Sequence, residues 1–232
     1  DRYFQIAPCF RDEDPRADRH PGEFYQLDME MSFVTKDDVF GGIEPLMVKL
    51  TKEFSSKKLT HEGPFARLAW KEAMERFGSD KPDLRYAMEL KDVSELVKDC
   101  GFSVFADSLK KKGHAKALGV RHGAALTRKE IDELTEVEKI YGAKGLAYIL
   151  MKEEGPQSPI LKFVGDDVTK KLVNELGAKT GDAIFFMADG WDVACKALGQ
   201  VRIAVAKMQN LADINQASWV WIVDFPMYEW NE

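Results

Sequence analysis

The stretch "CFRDEDPRADRHPGEFYQLDMEMSF", residues 9–33, decides how the rest of the chain is read. An apolar run ends at Phe10. The 13 residues from Arg11 to Glu23 then carry three arginines, five carboxylates and one histidine. From Phe24 onward polar and apolar residues alternate, which is the period of a strand. A tight hairpin needs only about two to five turn residues, typically Gly with Asn or Asp. This connection is longer, and its charges cannot all pair off within it.

Strand parity sorts the neighbouring residues. Alternate side chains share a face. Tyr25, Leu27, Met29, Met31 and Phe33 form one set, which predicts a core face. Gln26, Asp28, Glu30 and Ser32 form the other. On the preceding strand Phe4, Ile6 and Phe10 share a parity, and Tyr3, Gln5, Cys9 and Arg11 share the opposite one. With the apolar sets on one side, Arg11 falls on the sheet face of Gln26, Asp28 and Glu30. From pattern alone this polar row also fits a solvated sheet face with cross-strand ion pairs.

Working outward, the 232 residues are 45% hydrophobic with a formal charge of -6, enough for one large domain or two smaller ones. No run of 18 apolar residues marks a membrane span. The opening "DRYFQIAPCF" has no initiator Met, basic head or apolar signal core, and reads as the middle of a strand of a longer protein. Cys9, Cys100 and Cys195 are far apart, odd in number and without a CxxC, which suits a reducing cytosol and argues against a cysteine zinc site. The mild acidity excludes a general nucleic-acid coat but not a local basic site.

Residues 35–55 predict a helix opened by Thr35 and Asp38 and kinked at Pro45. "GSDKPDLR", residues 78–85, has turn chemistry and marks a crossing between two bodies. From Tyr86 to Asp213 the elements alternate. The pattern predicts strands near Met88, Val104, 116–120, 146–151 and 183–187. It predicts helices over 92–98, 127–140 and 170–176, and a long one from Trp191 ending before Asn210. "GPQSP" reads as a break. His114 and His122 lack metal-ligand spacing and read as exposed structural histidines, and no metal site is predicted. "SWVWIVDFPMYEW", residues 218–230, reads as a central strand covered on both faces, with Asp224 and Glu229 near its end.

The residues from "FRDEDPRADRHPGEFYQLDMEMSF" closely resemble motif 2 of the class II aminoacyl-tRNA synthetases, in the form of their bacterial-type aspartyl branch. "YGAKGLAYI" and "GDAIFFMAD" resemble the GAD domain that this branch inserts after motif 2. "WVWIVDFPMYEWNE" resembles its return to the catalytic sheet. Two departures stand out: His20 where many relatives have Gln, and Gly22 as one extra loop residue.

The resemblance implies an α+β fold: part of the antiparallel class II catalytic sheet (residues 1–85), an inserted α/β GAD-like domain (86–213) and a return to the catalytic domain (214–232). It implies aspartate activation by ATP with Mg2+, then transfer to tRNA(Asp), in a cytoplasmic homodimer. It assigns Arg11 to catalysis, touching both ATP and aspartate. Asp12, Glu13 and His20 go to ATP binding, and Gln26 and Asp28 to aspartate. Asp14, Arg16 and Arg19 go to the acceptor end of tRNA. Motifs 1 and 3 would lie outside this chain, so the fragment alone is expected to be inactive. The alternative is a non-catalytic module that binds tRNA or a protein.

Overall fold

The computed structural model describes residues 1–12, 22–142 and 145–228. They form two compact units, residues 1–53 and 54–232.

In the first unit β1 (Arg2–Phe10) and β2 (Glu23–Met31) form an antiparallel ribbon, followed by α1 (Lys36–Phe54). The expected opening of α1 is present: Thr35 donates both its amide and its hydroxyl to Asp38 Oδ2, each at 2.8 Å. The Thr35 amide is the main reason that the Asp38 carboxyl lies below its ordinary range. The helix runs through Pro45. The expected core face of the ribbon is apolar, yet it is exposed: Ile6 is 67% and Tyr25 76% accessible. Parity selects which side chains share a face. A two-stranded ribbon by itself supplies no second layer to exclude water from that face.

The second unit opens with β3 (Lys58–Leu59), β4 (Ala66–Ala69) and α2 (Trp70–Phe77). The chain then enters a five-stranded sheet. It passes through β5 (Leu90–Asp92), α3 (Ser94–Val97), α4 (Ser103–Lys110), β6 (His114–Val120) and α5 (Arg128–Lys139). It continues through β7 (Ala147–Lys152), β8 (Gly155–Gln157), α6 (Leu161–Val164), α7 (Asp166–Leu176), β9 (Ala183–Asp189) and α8 (Trp191–Met208). It returns by β10 (Gln216–Ala217) and β11 (Val220–Val223). The sheet order is β5-β6-β9-β7-β8, with every pairing antiparallel.

Helices cover both faces of this sheet, so its central strand β9 is buried on both sides and reads as a continuous apolar run. Phe185 and Met187 meet Leu134, Leu198 and Val201 in one core. Ile184 and Phe186 meet Val97, Phe105 and Leu172 in the other. Helix α5 starts where it is expected, after residue 127, at the "TRKE" of residues 127–130. Thr127 and Glu130 form a reciprocal capping box.

Three expectations give way. Val104 lies in α4, not in a strand: Phe105 is buried and Leu109, one turn on, packs in the same core. The start of "GPQSP" is the short edge strand β8, which fits a proline because an edge position needs no ladder amide there. Strand β11 is half-buried rather than covered on both faces, and among the described residues it pairs only with β4.

The two crossings between β4–α2 and the sheet are stitched together. Arg85 binds Asp83 at 2.7 Å and donates to the carbonyls of Asp213 (3.0 Å) and Gln216 (3.3 Å). Arg202, buried in α8, donates to the carbonyls of Asp83, Tyr86 and Met88 and lies over the rings of Phe77 and Tyr86. Lys116, buried in β6, pairs with Glu75 of α2, which also accepts from Trp191. Burial pushes the Glu75 carboxyl up, but these two donors outweigh it and the net shift is downward.

Candidate functional site

The polar face of the β1–β2 ribbon holds the residues singled out from the sequence. Register places Tyr3 opposite Glu30, Gln5 opposite Asp28, Ala7 opposite Gln26 and Cys9 opposite Phe24. The Arg11 amide donates to the Gly22 carbonyl at 3.0 Å, which carries the same register one step past the strands. Arg11, Gln26 and Asp28 therefore project from one face. Arg11 stands four residues beyond Ala7, roughly 13 Å along the strand from the row of Gln26. Asp12, next in sequence, takes the other parity. Glu13, Asp14, Arg16, Arg19, His20 and Glu229 lie outside the described residues.

Small chemistry shapes this face. Ala7, opposite Gln26, leaves the middle of the row open. Gln5 Nε2 donates to Asp28 Oδ2 at 3.2 Å, and Tyr3 donates its hydroxyl to Gln5 Oε1 at 3.1 Å. Asp28 is thus held by a side chain on the opposite strand. The Arg11 guanidinium lies 5.6 Å from the centroid of the Phe24 ring, a cation–π distance. The face presents a guanidinium at its loop end and a fixed carboxylate farther in, an arrangement able to meet an anion and an ammonium on one ligand. The supporting parts of Tyr3 and Gln5 were visible as parity but carried no motif signal.

Among the described residues no three His, Cys, Asp or Glu side chains gather to hold a metal, and no helix is long and apolar enough to cross a membrane. The three cysteines are free, with burial pushing the Cys195 thiol up to about 12. His114 Nδ1 lies 2.9 Å from Asp92, an ordinary side-chain pair.

Residues 1–231 match the family described as tRNA synthetases class II (D, K and N). The chain is 48% identical over 231 residues to the aspartate–tRNA(Asp/Asn) ligase of Heliobacterium modesticaldum (strain ATCC 51547 / Ice1). It is 46% identical over 231 residues to that of Chlorobium phaeobacteroides (strain BS1), and 48% over 233 residues to that of Desulfatibacillum aliphaticivorans. In each case the match covers 100% of this chain and 38% of the relative's length.

Proposed function

This chain belongs to the class II tRNA synthetases of the D, K and N group, and on that premise we propose that it is part of an ATP-dependent aspartate–tRNA ligase. The aspartate carboxylate attacks the α-phosphorus of ATP in line. The new C–O–P linkage forms as the bond to pyrophosphate breaks; a tRNA hydroxyl then attacks the aspartyl carbonyl, forming the ester as AMP leaves and the hydroxyl proton is released. Such a step needs a fixed cation on the phosphate more than a side-chain nucleophile. The observation that carries the reading is the common face of Arg11, Gln26 and Asp28.

Arg11 is the catalytic residue. Its planar fork holds an α-phosphate oxygen and the aspartate carboxylate together. Asp28, held by Gln5, receives the substrate ammonium, with Gln26 beside it. Asp12, Glu13 and His20 hold ATP, and Asp14, Arg16 and Arg19 meet the tRNA acceptor end. Mg2+ enters as part of the ATP substrate, since this ion usually keeps phosphate and water as most of its ligands. The relatives named above act on tRNA(Asp/Asn), so the acceptors are tRNA(Asp) and, by the same likeness, tRNA(Asn). The reaction belongs in the cytoplasm, in a homodimer. Residues 86–213 form the insertion. The outgoing strand β4 and the returning strand β11 are parallel neighbours, so the excursion leaves and rejoins at one place.

Aspartate-dependent exchange of pyrophosphate into ATP tests this in the full-length enzyme. Arg11→Ala lowers exchange roughly a hundred- to thousandfold, the usual effect of removing one donor to developing charge. Arg11→Lys recovers little, because it keeps the charge and loses the fork. Near-normal exchange in the Arg11→Ala variant would remove Arg11 from this role, and near-normal exchange in Arg11→Lys would show that charge suffices without the fork.

A further inference from the structure

The second unit holds a cavity where β7 parts from β9. Strand β9 pairs with β6 to its end, His114 opposite Asp189, whereas β7 begins only at Ala147, opposite Phe186. Beside Met187–Asp189 one edge of β9 therefore has no strand against it among the described residues. The space there is a cavity of about 760 Å³, within the range of roughly 300–1,000 Å³ usual for small-molecule sites. It is lined from both faces of the sheet, by Phe102 and Phe105 on the α4 side and by Thr135 and Tyr148 on the α5 side. A gap between strands is what allows one cavity to reach both layers.

The lining has a definite chemistry. The ring of Phe105 lies 4.9 Å from that of Phe102 and 5.8 Å from that of Phe186. Asp107, Asp189 and Lys111 also line the space. None of the three has an ion-pair partner among the described residues, and among them the Asp189 carboxylate accepts only from the adjacent Gly190 amide at 2.7 Å. The Ser108 hydroxyl is buried there with no hydrogen-bond partner among the described residues. Among the described lining residues two carboxylates stand against one ammonium, which favours a cation, and an aromatic ring beside a cation adds to that attraction. An apolar body fills the interior, where charge alone would be unsolvated.

We propose that this cavity binds a small organic amine: an ammonium group carried on a flat apolar body. The ammonium sits between Asp107 and Asp189, and the body lies among Phe102, Phe105, Tyr148 and Phe186. None of these residues belongs to the β1–β2 ribbon, so the proposal stands apart from the assignment of Arg11.

Three probes share one ring system and differ in charge: tryptamine, indole and indole-3-propionate. Each is titrated into the 15N-labelled 232-residue chain and followed by amide shifts. Tryptamine is expected to bind tightest and indole-3-propionate weakest, with shifts at Ser108, Leu146 and Ala188. Asp189→Asn keeps shape and removes charge. It should weaken tryptamine about tenfold, as loss of a charge-assisted contact does, and leave indole unchanged. Asp107→Asn, on an exposed helical turn, repeats the test where the strand-end variant folds poorly. Equal or tighter binding of indole-3-propionate overturns the cation. Shifts confined to other surfaces, or no shifts with tryptamine at millimolar concentration, overturn the site.

Discussion

At the scale of single residues, buried charge divides into satisfied and unsatisfied cases. Arg202 is the satisfied one, with its donors spent on the carbonyls of Asp83, Tyr86 and Met88. Arg202→Ala strands those acceptors and opens a cavity between Phe77 and Tyr86. The expected loss is about 3–5 kcal/mol, read as a lower urea midpoint at unchanged slope. Arg202→Met restores volume without donors and should fall between the two. A loss under about 1 kcal/mol in the Ala variant would mean that water replaces the guanidinium. Glu138 is the opposite case. Both of its carboxylate oxygens are buried without a hydrogen-bond partner among the described residues. Burial pushes its carboxyl from 4.5 up to about 8, against the weaker opposing pull of Lys139. Between those values the unfolded chain has shed the proton that the folded chain keeps, so each rise in pH favours unfolding. Glu138→Gln mimics the protonated acid. Thermal melts of parent and variant should nearly coincide at pH 5 and separate toward pH 8 and above, with the variant the more stable. A constant gap across that window would show that Glu138 ionises in the folded chain as it does in the unfolded one.

At the scale of elements, the approach of α2 to α8 rests on two glycines. Gly78 ends α2 in the left-handed region, at φ 65°. A Cβ on Gly199 of α8 would lie 2.5 Å from the Gly78 carbonyl oxygen and 2.8 Å from its Cα. Both are backbone atoms, which cannot rotate away. Gly199→Ala raises helix propensity by about 1 kcal/mol but must push the helices apart. Overpacking costs about 1–3 kcal/mol, so a net loss of stability is expected. A stabilised Gly199→Ala protein in chemical denaturation would mean that the helices separate freely. This contact was not legible in the sequence, because neither glycine sits in a motif and they are 121 positions apart. Local signals were legible: "TRKE" as the start of α5, the apolar run of β9, and the strand parity that sets Arg11 with Gln26 and Asp28. Val104 misled because a short β-branched and aromatic window fits strand and helix alike; the spacing of Phe105 and Leu109 decides it. The apolar set of the ribbon misled differently. Alternation names a face, and what covers that face is not a local property. Lys116 in "AKALGV" was the one local sign of a buried ion pair, and its partner Glu75 lies outside that window.

At the scale of the whole molecule, an insertion in the topological sense need not be a separate folding unit. If the inserted GAD-like domain over residues 86–213 folded by itself, cleavage within the flanking crossings, 79–85 or 209–217, would set it free. Those two crossings are tied at several points. Arg85 joins them to each other, Arg202 binds the first to α8, and β10 and β11 pair with β3 and β4. Glu75 and Lys116 add a link from α2 to the sheet. Cleavage needs a segment to open locally, and opening here breaks several contacts at once. Phe54 to Lys57, where the two compact units meet in sequence, is exposed. A protease of broad specificity at low dose should therefore cut first near residues 54–57. The resistant core should begin there, keep α2, and extend through the return strands. N-terminal sequencing and intact mass of that core settle the matter. A core that begins between residues 79 and 88 would show that the crossings open more easily than their hydrogen bonds suggest, and that the inserted sheet stands without α2.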